Sequence, residues 1–396
     1  MRSPWKAPIW SRLVRSVFRQ GWPRTDSERA TAVRHNLWLH ILPARVRAGS
    51  LRPSASLGLG LITLYLFGIL CVSGLLLMVY YTPSTDLAYR DMKDLAYVVS
   101  GGHFLRNVHR WSAHLMVLFA VLHLARVFCT EAYKKPREFN WVVGVCLLGL
   151  TLALSFTGYL LPWDQLSFWA ITVSANMLDY VPGVGGAVRR LLLGGDEVGQ
   201  ATLLRFYVLH VIVLPTLAML LVALHVWRVR KDGGMACSDP ALRRDNEKAG
   251  EEHVLTWPHV LLRQLLVLQG TLIMVFVPSL LWNAPLQQLA DPAHAPNPAK
   301  APWYFLGLQE MVAHSAFWGG FVVPAVLLAV LLALPYVDTK PHGAGRWFSH
   351  DRRRALLLFA LLVLALGALT AVGLWFRGPD WDWQWPWAAA LEGEGG

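Results

Sequence analysis

Seven apolar stretches, each long enough to cross a bilayer, limit what this chain can fold into. They run near Leu57 to Tyr81, Val108 to Cys129, Trp141 to Leu161, Leu203 to Val229, Val260 to Trp282, Phe317 to Val337 and Ala355 to Phe376. A membrane-spanning helix needs about 20 apolar residues, and in lipid every backbone N–H and C=O must be satisfied within the segment. The expected fold class is therefore an all-α, polytopic transmembrane helical bundle. With 55% hydrophobic and 15% charged residues among 396, the chain is too apolar for a soluble domain of this size.

A formal net charge of +11 invites a nucleic-acid reading, but the cations lie in the wrong places for one. If the N-terminus is inside, 27 of the 36 Lys and Arg fall in inner segments. The excess is then a topology signal, placing the N-terminus in the cytoplasm and LEGEGG outside, with no nucleic-acid partner. The expected location is a bacterial plasma membrane. Cys71, Cys129, Cys146 and Cys237 form no CxxC or CxxCH, so neither a disulfide framework nor an attached c-type haem is indicated. More than fifty residues with many arginines precede the first apolar run, which does not resemble a cleavable signal peptide.

The second and fourth runs carry the chemistry. His109 and His123 are fourteen residues apart, so on a helix they return to within about 40° of one face, about 21 Å apart along the axis. His210 and His225, fifteen apart, repeat the design, and a kink at Pro215 can absorb the extra residue. Two facing helices with two imidazoles each suit two haems stacked across a membrane. His114 lies off this face and reads as a hydrogen-bonded interior residue. Gly60 and Gly74 on the first run, and Gly144 and Gly158 on the third, share the fourteen-residue spacing and leave room for a flat macrocycle. Arg106 and Arg126 flank the His109/His123 pair by three residues, where they are expected to pair with haem propionates or to act as interfacial anchors.

Four segments follow: a basic N-terminal part (1–56), a four-helix di-haem part (57–230), a polar cytoplasmic linker (231–256) and a three-helix part (257–396). The first contains RATAVRHNLWLHILPARVRAG, which reads equally as an amphipathic surface helix or a basic tail. The outer loop from Ser155 to Tyr207 is rich in aromatics, Gly and Pro, and the Pro-rich stretch before PWYF ends in a short surface helix.

The His quartet, the four glycines, FTGYLLPWDQLSFWA, GQATLLRFYVLH and PWYF together resemble the cytochrome b family of quinol:cytochrome c reductases, over almost the whole chain from about residue 30. The fifteen-residue spacing and the tract GGDEVGQATLLRFYVLHVIVLP resemble the b6f-like branch, whose two polypeptides are here fused. The resemblance implies two non-covalent b haems and a quinol site near the outer face between the FTGYLLPW and PWY segments. One electron from quinol would go to a Rieske iron-sulfur protein and on to a c-type cytochrome. The other would cross to an inner quinone site, with proton translocation. The implied assembly is dimeric, multi-subunit and lipid-embedded. Tyr159, Pro162, Trp163, Trp303 and Tyr304 match outer-site motifs.

Two departures from the family pattern matter. Gly58 stands where the b6f-like branch has its haem-attaching cysteine, so no covalent haem is expected. The PEWY motif reads Ala301-Pro302-Trp303-Tyr304 and lacks its glutamate. Glu310 reads either as the substitute base, facing the pocket with its pKa raised by burial and His314 as relay, or as a structural hydrogen-bonding residue at a helix end; Asp164 is the rival acceptor. Arg228, Arg230, Lys231 and Asp232 are the candidates for the inner quinone site. The alternatives to a bc-type cytochrome b are a di-haem membrane anchor of another oxidoreductase, and a haem-free transporter or scaffold.

Overall fold

The computed structural model describes residues 10, 23–35, 42–232, 234–236, 253–339 and 345–387. Seven of its helices are long and apolar enough to cross a membrane, one for each apolar run, so the chain is an integral membrane protein built as a helical bundle. In chain order the elements are α1 (Asp26–His35), β1 (Arg45–Arg47), α2 (Leu59–Met78), α3 (Ala88–Tyr97) and α4 (Gly102–Cys129). Then come α5 (Glu138–Leu160), α6 (Gln165–Met177), α7 (Gly185–Leu193) and α8 (Gln200–Lys231). The remaining elements are β2 (His253–Leu255), α9 (Thr256–Leu281), α10 (Trp303–His314), α11 (Trp318–Val337) and α12 (Arg353–Trp375).

Helices α2, α4, α5 and α8 form a core, with α2 along α4 and α8 along α5. Helix α9 covers α2 and α4, α11 lies on α5, and α10 packs on α12. The outer faces are apolar because their solvent is lipid: α12 buries only Gly373 and exposes Leu357, Leu358 and Leu364. β1 pairs antiparallel with β2, Arg45 opposite Leu255, at one end of the bundle. This is the ladder end; the other is the α10 end.

Each end is closed by its own aromatic cluster. At the α10 end, Leu160, Trp163, Phe168, Ile171, Leu203 and Phe206 pack together. At the ladder end the cluster is Phe128, Cys129, Tyr133, Trp141 and Val145. The segment between the third and fourth apolar runs holds two helices, α6 and α7. Asp164 starts α6 with a capping box, its carboxylate accepting from the Ser167 N–H while the Ser167 hydroxyl accepts from the Asp164 N–H. Gly58 precedes α2 at φ +67°, a left-handed conformation that favours glycine.

Of the N-terminal segment expected as an amphipathic helix or a tail, α1 is helical through His35, and residues 36–41 lie outside the described residues. Residues 237–252, most of the expected linker, also lie outside them.

Candidate cofactor and substrate cavity

The four paired histidines meet as the spacing predicts. His109 of α4 faces His210 of α8 with ring centres 6.2 Å apart, and His123 faces His225 at 6.4 Å. Two imidazoles bonded to one metal at about 2 Å each have ring centres about 6.5 Å apart. Among the described residues no group of three or more His, Cys, Asp or Glu gathers to hold a metal. Each level brings two imidazoles face to face, the number of protein ligands that a bis-histidine haem would take.

The ring tautomers support the same fit at the level nearer α10. The Ser73 hydroxyl donates to the Ile69 carbonyl, so the 2.9 Å contact between its oxygen and His109 Nδ1 is donated by the ring. His210 Nδ1 lies 3.1 Å from the Leu154 carbonyl and 3.2 Å from the Thr157 hydroxyl, which itself donates to Ala153. A proton on Nδ1 leaves Nε2 with its lone pair, as a ligating histidine requires.

Each of the four glycines stands against one histidine. A Cβ on Gly158 would lie 2.5 Å from His210 Cε1, on Gly60 3.0 Å from His123, on Gly74 3.3 Å from His109 and on Gly144 3.4 Å from His225. A side chain on Gly158 would therefore displace the imidazole itself. All eight residues line one continuous cavity of about 1970 Å³. A single small-molecule site usually occupies about 300–1,000 Å³, so this cavity has room for more than one large ligand.

Arg106 and Arg126 also line the cavity and are buried. Arg106 donates to the carbonyls of Ala284 (2.8 Å) and Pro285 (2.6 Å), fastening the chain after α9 to α4. Arg126 donates to the carbonyl of Ala55. Both therefore hold backbone beside the His109/His123 pair, whatever else they contact.

At the α10 end, Tyr159, Pro162 and Asp164 line one wall and Tyr304 another, with Arg110 and His114 between. Burial pushes the Tyr304 phenol up, keeping it a neutral donor. Trp163 turns away into the aromatic cluster, and Trp303 stacks edge-on to Tyr304 behind the lining. Asp164 is already engaged: its carboxylate takes the N–H groups of Ser167 and Gln287, both at 3.0 Å. It fastens α6 to the chain after α9.

Glu310 departs from expectation in position and charge. It is buried in α10 but does not line the cavity. Its carboxylate receives Arg377 Nη2 (2.5 Å) and Trp381 Nε1 (2.9 Å), with His314 Nε2 at 3.2 Å. Burial alone raises its pKa, but the bonds from Arg377 and Trp381 and the Arg377 charge outweigh it. The carboxyl is held below its ordinary value. The expected pocket-facing base is instead a charged latch between α10 and the chain after α12.

At the ladder end, Asp232 pairs with Arg228 (3.1 Å), Lys231 caps the Trp227 ring, and Arg230 lines the cavity. The residues missed by spacing alone are Ser73 and Thr157. Each directly precedes a glycine, an S-G and a T-G pair, at the level where the histidines bond to hydroxyls.

Residues 50–233 match the family model described as cytochrome b/b6/petB, and residues 289–377 the one described as cytochrome b(C-terminal)/b6/petD. Cytochrome b of Rhodobacter capsulatus is 31% identical over 340 residues, covering 79% of this chain and 76% of that protein. Cytochrome b6 of Heliomicrobium gestii is 42% identical over 182 residues, 46% of this chain and 84% of that protein. A solved structure titled hyperthermophilic respiratory complex III superposes with a TM-score of 0.72 at 27% identity, covering 85% of this chain and 86% of that one. With its facing histidines, matched glycines and both family halves in one polypeptide, the chain belongs to the cytochrome b family.

Proposed function

We propose that this chain is the quinol-oxidising subunit of a bc-type membrane complex, holding two non-covalent b haems. The carrying observation is the two levels of facing imidazoles, 6.2 and 6.4 Å between ring centres, within one cavity. His109 and His210 would hold one haem, His123 and His225 the other; bound there, haem supplies one-electron transfer across the membrane.

The protein's own contribution is position and exclusion. Gly60, Gly74, Gly144 and Gly158 clear the helix backbones for the macrocycles, and Arg106 and Arg126 present cations beside them where propionates need partners. Tyr159 and Tyr304 face the α10 end as half-buried aromatic walls that accept a flat quinol head group, with Trp303 bracing Tyr304 from behind. In this reading the α10 end is the outer face, where quinol gives one electron to a Rieske protein, bound for a c-type cytochrome, and the other inward. Quinone is reduced at the ladder end, where Arg228, Arg230, Lys231 and Asp232 supply positive potential and a proton donor.

The test is haem content of the purified protein. Acid-acetone should extract both haems, and a visible spectrum should count two per chain. His123→Leu or His225→Leu should each lose the haem at the ladder end and keep the other. Two haems in either variant would overturn the assignment.

A further inference from the structure

His114 is a histidine that the haem scaffold does not use. It lies five residues after His109, about 140° around α4 from the ligand face, and points to α10. There Trp303 Nε1–H donates to His114 Nδ1 at 3.0 Å. The ring stands edge-on to Tyr304, 5.7 Å between centres, and the Trp111 ring centre is also 5.7 Å away. The same side chain lines the cavity beside Tyr304 and Arg110.

The donor in that bond fixes the protonation of the acceptor. An indole N–H can only donate, so Nδ1 must carry a lone pair, and the neutral ring keeps its proton on Nε2. Among the described residues no protein acceptor takes the Nε2–H. A half-buried imidazole N–H beside an aromatic-walled cavity is therefore a donor of fixed tautomer available to a ligand oxygen.

We infer that His114 holds a head-group oxygen of the quinol or quinone at the α10 end, and that Trp303 fixes the tautomer that makes it a donor. The inference rests on the quinol reading above and deepens it. Quinol hydroxyl and quinone carbonyl oxygens both accept a hydrogen bond, so one donor serves substrate and product. Because Nδ1 is taken by Trp303 and Nε2 is already protonated, His114 orients the head group and does not take its proton.

The experiment measures reduction of the b haems in the assembled complex by a short-chain benzoquinol, as a function of quinol concentration. His114→Leu should raise KM about tenfold, the worth of one buried hydrogen bond, with haem content unchanged. His114→Gln, whose amide can donate from a similar reach, should stay within about threefold of wild type. Trp303→Phe leaves His114 in place but frees Nδ1, and should raise KM about threefold. A KM for His114→Leu within about twofold of wild type would overturn the inference; should that variant fail to assemble, an unchanged KM for Trp303→Phe would overturn it. Wild-type complex whose haems the benzoquinol does not reduce would instead overturn the quinol reading itself.

Discussion

Glu310 receives donors from Arg377 and Trp381 and has His314 beside it, and its chemistry follows from them. Arg377 and Trp381 arrive from beyond α12, while His314 lies one turn further along α10. Removing one member of a buried ion pair leaves the other uncompensated and costs about 3 kcal/mol. Glu310→Gln should lower thermal stability of the purified complex by about that much at pH 7. Because the folded carboxyl sits below its ordinary value of 4.5, this contribution is fully present above about pH 4.5 and fades as pH falls through the folded value. The stability gap between the two proteins should therefore be full at pH 7 and narrow steadily as pH is lowered below about 4.5; equal stability at pH 7 would discard the latch. This residue also shows where sequence reading stops. The histidines and glycines were legible because helical periodicity alone brings them to one face. The choice between the two readings of Glu310 was not legible because its partner Arg377 lies 67 residues away, a distance no local pattern spans.

Two helices resolve a conflict between proline and regular α geometry in the same way. α8 contains a π turn at Leu209–Val213 directly before Leu214-Pro215, and α11 one at Trp318–Val322 directly before Val323-Pro324. The Leu214 N–H reaches back five residues to the Leu209 carbonyl, and the Val323 N–H to Trp318. Proline has no N–H for the carbonyl four residues before it, and a widened turn holds one extra residue there. In α8 that residue turns the fifteen-residue histidine spacing into an effective fourteen, matching α4. Pro215 hinted at an irregularity, but its form could not be read from composition. Deleting Ile212, a residue 58% exposed, should convert the turn to α-helix and, on the proposed two-haem reading, keep both haems. Loss of the ladder-end haem in the deletion, seen in the visible spectrum, would show that the turn does more than absorb a residue. The seven spans were legible from apolar length. α6 and α7 were not, because capping and packing define them more than periodicity does.

Across the whole molecule, charges buried at the ladder end join the two family halves. Lys134 bridges Glu131 and Asp338, both at 3.0 Å, and Arg352 reaches Asp338 (2.9 Å), the Tyr133 hydroxyl (2.5 Å) and the Phe128 carbonyl (2.9 Å). Arg352→Met should weaken this junction by about 3 kcal/mol, lowering the temperature at which the C-terminal helices become protease-accessible while haem content holds. An unchanged digestion profile would mean that helix packing, α9 on α2 and α4 and α11 on α5, joins the halves without these charges. The cavity wall is shared across the halves too. Arg263, Gln264 and Val267 of α9, with Ala284, Pro285 and Gln287 after it, complete a lining otherwise drawn mostly from residues before 237. The ribosome makes that part of the wall last. Until α9 docks on α2 and α4, the flank it covers lacks that part of its lining. The cavity is therefore complete only once both family halves have come together, and whatever lies between α4 and α8 is then walled on the α9 side as well.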